Sequence, residues 1–237
     1  EMKNFGRVIM MGIVLASIII RKDMDNKDIA NVNTSKSEEY CTLNVPYINQ
    51  LEKYPTGCES VSSVMVLQYL GYDISVDTFI DDYLPRGREP FDNGNGLVGD
   101  SYYRFFLGSP YSTSGFGCFA PVIEKALKQI VADKHEVEAL YHQSLESLCH
   151  QYIDEGIPVI LWATMDMQAP VEAFDYMDWS TGEMLTWIQP MHCLVLTGYD
   201  EDYYYFNDPM VGANTKYLKT DVEVAYKGLG SQAIVIL

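Results

Sequence analysis

Apolar positions along the chain fall into two rhythms. From residue 58 to about 70 they crowd more than one helical stripe (Val61, Val64, Met65, Leu67, Leu70), which predicts a helix buried in the middle of a domain. Pro55 and Gly57 make the turn ahead of it, and Gly71 ends it. Ser75 is placed to cap a second short helix through about Tyr83, stopped by Pro85. Pro121 opens a third, running to about Ala132, with Val122, Ile123, Ala126, Leu127 and Ile130 on one face. Ser144 caps a fourth, whose end is marked by Gly156.

Beyond that point the period shortens. Residues 158–163, 184–188, 193–197, 203–206 and 232–237 read as strands, interrupted by a short helix that starts at a Thr220/Glu223 capping box and stops at Gly228. Leu43, Val45 and Tyr47 alternate with Asn44 and Pro46 and predict a short edge strand at the start of the domain. Helices first and an antiparallel sheet second make an α+β layout with a cleft between the halves. Residues 86–117 are rich in Gly, Pro and aromatics and read as a long loop without regular structure over a functional surface. Tyr102, Tyr103, Phe105, Phe106 and Tyr111 argue that it is ordered.

The first forty residues follow neither rhythm. Lys3 and Arg7 precede an apolar run at 8–20 that is closed by Arg21 and Lys22. Crossing a bilayer takes about twenty apolar residues, so residues 1–22 read as a secretory signal or a short membrane anchor. Residues 23–40 are polar and aperiodic, a flexible tether, and the domain occupies 41–237. The expected location is secreted or extracellular, with attachment at the cell surface if the apolar segment is retained.

Composition narrows the partners. The 237 residues are 48% hydrophobic with a formal charge of −17, a balance that a nucleic-acid backbone would repel. Five cysteines without a C-x-x-C pair and four scattered histidines give no zinc-ligand spacing, so neither metal nor cofactor is expected. An odd cysteine count leaves at least one thiol free.

Two places carry chemistry. Cys58 falls on the first turn of the buried helix, where free N–H groups and the helix dipole stabilise a thiolate and lower a thiol pKa. A small buried residue would serve there as well. His192 opens a strand, and a hairpin turn near Asp200-Glu201 makes positions whose numbers sum to about 400 face each other. That register sets His192 across from Asp208, and a slip exchanges Asp208 for Asn207. The other three histidines are expected to have no such partner. Gln50, upstream of Cys58, is a candidate amide donor to an oxyanion.

Taken in order, Gln50, Pro55-Thr56-Gly57-Cys58-Glu59-Ser60-Val61-Ser62, Gly117-Cys118-Phe119-Ala120-Pro121, Gly156-Ile157-Pro158-Val159-Ile160, His192-Cys193-Leu194-Val195-Leu196-Thr197-Gly198-Tyr199-Asp200 and Asn207-Asp208-Pro209 resemble the papain-like cysteine peptidases related to bacteriocin-leader (double-glycine) peptidases. The resemblance runs from about Val45 to Leu237 and is to a stand-alone, exported bacterial member. It implies a papain-like fold, with an N-terminal helical half packed on a C-terminal antiparallel sheet. It also implies that Cys58 is the nucleophile, His192 the base, Asp208 its orienter and Gln50 the oxyanion donor. The implied reaction is hydrolysis of amide bonds in a peptide or protein through a thioester. Glu59, Gly57, Trp179 and Asn207 are the candidates for contact with substrate, Glu59 being either structural or substrate-facing. Two alternatives accompany this reading: a peptidoglycan amide hydrolase or other thiol acyltransferase, and an inactive peptide-binding surface module. The presence of all four catalytic candidates counts against the last.

Overall fold

The structure, a computed structural model, describes residues 41–237. The expected signal or anchor at 1–22 and the tether at 23–40 lie outside the described residues. Among the described residues no helix is long and apolar enough to cross a membrane.

The architecture is the α+β one expected, a helical N-terminal half against an antiparallel sheet. That sheet runs in the order Gly212–Leu218, Tyr203–Asp208, Met191–Tyr199, Val159–Thr164, Gln232–Ile236, Val137–Tyr141, and Cys41–Thr42 adds to Met191–Tyr199. Its central strands read as near-continuous apolar runs because both faces are covered. Along Met191–Tyr199, Cys193 and Val195 join the core that holds Val61, Val64 and Met65 of the helix Cys58–Tyr69. Leu194 and Leu196 join a second core with Val222 and Ala225 of the helix Lys219–Gly228. Each of these leucines, fully buried, contributes about 2 kcal/mol by leaving water. The sheet is thus a partition, and the strand carrying His192 is fixed from both sides.

Local signals explain most element ends. Ser75 Oγ accepts the Thr78 amide and Ser144 Oγ the Ser147 amide, so both predicted caps form. Each of those helices ends in a wider, π-type turn, Phe79–Tyr83 and Cys149–Ile153. Gly71, at φ +86°, takes the chain out of the first helix in a conformation that side chains other than glycine's adopt at a cost.

Several expectations are corrected. The edge strand predicted over Leu43, Val45 and Tyr47 does not form: the paired residues are Cys41–Thr42, just ahead of it, and after Leu43 the chain leaves the sheet toward Pro46, which has no N–H to give a ladder. The Thr220/Glu223 capping box is not formed: Leu218 is the N-cap, and Thr220 Oγ instead meets Asp221. The stretch 86–117 is not devoid of strands. Arg86–Gly87 pairs with Phe106–Leu107, while Phe91–Asp92 and Leu97–Gly99 enter a small four-stranded sheet with Val171–Asp178 and Met184–Gln189. The hairpin turn comes one residue later than expected. Asp200 Oδ1 accepts the amides of Asp202 and Tyr203, which makes Asp200 the last paired residue and not part of the corner. With a bulge between Leu196 and Gly198, Val195 faces Asn207 and Leu196 faces Phe206.

Candidate active site

At the histidine end, His192 Nε2 lies 2.8 Å from Asp208 Oδ1, and both residues are 1% exposed. They meet by side-chain reach from the ends of two neighbouring strands, beyond the last paired positions of the hairpin. Asp208 also accepts the Met210 amide at 2.9 Å and the Tyr217 hydroxyl at 2.7 Å. Burial opposes ionisation of this carboxyl. The hydrogen bonds from His192, Tyr217 and Met210, with the imidazole's charge, outweigh it and hold the carboxyl below its usual range. An ionised carboxylate only accepts, so Nε2 carries a hydrogen, which leaves Nδ1 as the ring nitrogen turned away from Asp208. That Nδ1 is buried and has no hydrogen-bond partner.

At the thiol end, the helix starts at Cys58 as predicted, with Gly57 as its N-cap. Gly57 lies under the turn: a Cβ there would come 2.9 Å from Tyr54 Cβ and 3.2 Å from Pro110 Cβ, so its role is close packing. The expected lowering of the thiol pKa is overturned. Burial pushes the Cys58 thiol well up, and the neighbouring Glu59 carboxylate and Cys193 add to the rise. Cys58 Sγ lies 3.3 Å from Glu59 Oε2, and it is this carboxylate, not the imidazole, that holds the thiol. The helix that carries the sulfur is nonetheless fastened to the histidine's strand, Ser62 Oγ donating to Cys193 O at 3.1 Å. Glu59 is fully buried, which removes it from the surface a substrate would touch.

Gln50 links the two ends. Its backbone amide donates to Pro209 O at 2.9 Å, next to Asp208, and its carbonyl accepts from Lys53 and Tyr54 in the turn before Cys58. Its Nε2 donates to Pro55 O at 3.1 Å, which occupies one of two amide hydrogens. Asn207 serves as a brace. Buried at 1% exposure, it donates to Val45 O and Pro46 O and accepts the Asn214 amide. Trp179 is half-exposed beside the small sheet, its indole N–H on Asp100 Oδ1 and the Arg88 guanidinium 4.5 Å above its ring. His150 does have a carboxylate, Asp154, but the pair is exposed and shares Tyr199.

A cleft of about 290 Å³ has Gly115, Phe116, Trp187, Pro190 and Met191 in its walls, the last of them the residue before His192 in the chain. Among the described residues no group of three or more His, Cys, Asp or Glu is placed to hold a metal ion. Two participants carried little sequence signal. Tyr217 belongs to a strand, Gly212–Leu218, whose half-exposed pattern is weak. Glu59 could have been flagged as a charge inside a helix that is apolar all round.

This is the α+β fold of the cysteine peptidases related to papain, with helix-borne thiol and strand-borne imidazole on facing halves. The model of the peptidase C39-like family matches residues 42–234, and the chain belongs to that family. It is 31% identical over 217 residues to the uncharacterized protein YvpB of Bacillus subtilis (strain 168), spanning 90% of this chain and 83% of that one. The crystal structure of a Bacillus anthracis protein assigned to the C39-like peptidases superimposes with a TM-score of 0.72 at 27% identity, covering 84% of this chain and 98% of its own. A double glycine motif protease from an AMS/PCAT transporter, in complex with the leader peptide, gives a TM-score of 0.46 at 18% identity over 83% of this chain and 93% of that one, too distant to bear on substrate choice.

Proposed function

We propose that this chain is a cysteine peptidase that hydrolyses amide bonds of a peptide or protein through a thioester. The observation that carries the proposal is the buried His192–Asp208 pair with its unpartnered Nδ1, on the strand that backs Cys58. In this reading Cys58 gives its proton to Nδ1 and attacks the carbonyl carbon. Gln50 and the Cys58 amide donate to the oxyanion, and His192 returns the proton to the leaving amine. Water, deprotonated by His192, then releases the acid from the thioester. The thiol must leave Glu59 to begin. Catalytic hydrogen bonds of ligand-free enzymes often tighten only once substrate is bound. The cleft between Phe116 and Met191 is the approach for the substrate chain. The basic and then apolar start of the sequence supports a further proposal, that the enzyme works outside the cell.

The test is cleavage of a mixed peptide library by the native protein, Cys58→Ala and His192→Ala. Each substitution is expected to lower the rate by about a thousandfold or more. A native protein that cleaves nothing in the library but releases muropeptides from cell wall would move the amide substrate to peptidoglycan. Equal rates in all three proteins would end the peptidase reading.

A further inference from the structure

Glu59 is a buried carboxylate that the reaction just described gives no task. Its Oε1 accepts the Cys118 amide at 2.7 Å, and its Oε2 lies 3.3 Å from Cys58 Sγ. The loop that delivers the Cys118 amide is shaped around it. Gly117 sits at φ +130°, and a Cβ there would come 2.6 Å from Glu59 Oε1 and 2.2 Å from Met191 Cε. The groups facing Glu59 are Cys58 from its own helix, Cys118 from this loop, and His192 and Cys193 from the strand behind. Burial is the dominant influence and pushes the carboxyl up to about 7. The Cys118 amide, Glu59's own amide, the thiol and the imidazole only partly oppose that rise.

The second observation is the orphaned Nδ1 of His192. The base that should take the thiol proton has no partner, while the thiol gives its hydrogen bond to Glu59. Two acceptors therefore compete for one proton, and the winner depends on the charge of Glu59.

We propose that Glu59 is a positioning residue that governs when Cys58 can use His192: as a carboxylate it holds the S–H and withholds the nucleophile, and as a neutral acid it reverses the hydrogen bond, donating Oε2–H to the sulfur. The inference rests on the peptidase reading and deepens it. The protons balance within the site. The thiol proton passes to His192 Nδ1, Glu59 keeps its own proton, and the thiolate forms beside a neutral donor. With Glu59 ionised, the same transfer would set two negative charges 3.3 Å apart in a buried place.

The test is the rate at which iodoacetamide alkylates Cys58, mapped by mass spectrometry from about pH 5 to about pH 9 in the native protein, Glu59→Gln and His192→Ala. Near pH 5.5 the native and Glu59→Gln proteins are expected to react within about twofold of each other, and above pH 8 the Glu59→Gln protein about tenfold faster. His192→Ala slows the acidic-side reaction. If the native and Glu59→Gln profiles superimpose at every pH while His192→Ala still slows the reaction, Glu59 has no such role and the peptidase reading stands. If His192→Ala changes nothing, the peptidase reading fails and the inference falls with it. Should Glu59→Gln fail to fold, infrared difference spectra of the native protein decide. A buried carboxylic-acid C=O band present near pH 6 and lost near pH 8 is the expected result, and its absence near pH 6 overturns the proposal.

Discussion

Asp208 and Glu59 are both closed off from solvent, 1% and 0% exposed, yet their surroundings differ. Asp208 collects three donors, from His192, the Met210 amide and Tyr217, and stays ionised despite its burial. Glu59 has the Cys118 amide, its own amide and a thiol around it, and burial still lifts its carboxyl to about 7. Closure from solvent does not by itself decide the charge of a carboxyl: desolvation is the largest influence on both, and it is outweighed only where an imidazole and a tyrosine bond the carboxyl directly. One carboxylate is therefore suited to orient an imidazole permanently, and the other to change state near neutral pH.

The largest expected effect comes from breaking the satisfied side. Asp208→Ala removes both the acceptor that fixes the Nε2 hydrogen and the negative charge beside the ring; kcat for peptide cleavage should fall by about a hundredfold or more. A kcat within threefold of native would show that the pair does not orient the ring.

On the other side, Glu59→Gln should stabilise the protein at alkaline pH. A carboxyl raised from 4.5 to about 7 on folding contributes stability that is fully present below about 4.5 and lost as pH rises through about 7. Gln does not titrate, so its advantage is absent near pH 4, grows across that window and reaches about 3 kcal/mol near pH 8. Urea unfolding at both pH values measures it, and a difference that does not change with pH would refute a titrating Glu59.

Tyr217→Phe is the gentlest test. It deletes one donor to Asp208 and should cost about 1.5 kcal/mol near pH 7. Because the Asp208 carboxyl is lowered in the folded state, its stabilisation is present above about 3.8 and lost as pH falls through the folded value. With one fewer donor that value rises, so acid unfolding followed by circular dichroism should begin at a higher pH than in the native protein.

The sequence made some of this arrangement legible and hid the rest for physical reasons. Turn, cysteine and apolar helix are contiguous, so local rules place Cys58 at the helix start. The strand with His192 and the two serine-capped helices follow from equally short-range patterns. The pairing register does not, since the bulge at Thr197 and the Asx turn at Asp200 depend on contacts no periodicity encodes. Asp208 still reaches His192 because two strand ends tolerate a shift that a mid-sheet pair would not. Of the small sheet only Met184–Gln189 was legible, because the first two strands are two or three residues long and join Val98 to Met177 across the sequence. The thiol's raised pKa was hidden as well: the helix terminus is visible in sequence, but the desolvation and adjacent carboxylate that oppose it are tertiary.

Asn207, whose amide grips the carbonyls of Val45 and Pro46 from the strand that ends in Asp208, acts as a rivet between two stretches far apart in the chain. The stretch it clamps leads within a few residues to Gln50, which is fastened again to Pro209. The proposed oxyanion donor and the carboxylate bonded to the imidazole therefore ride on a single cross-stitched frame, and slack introduced at that rivet would misalign both at once without altering either side chain.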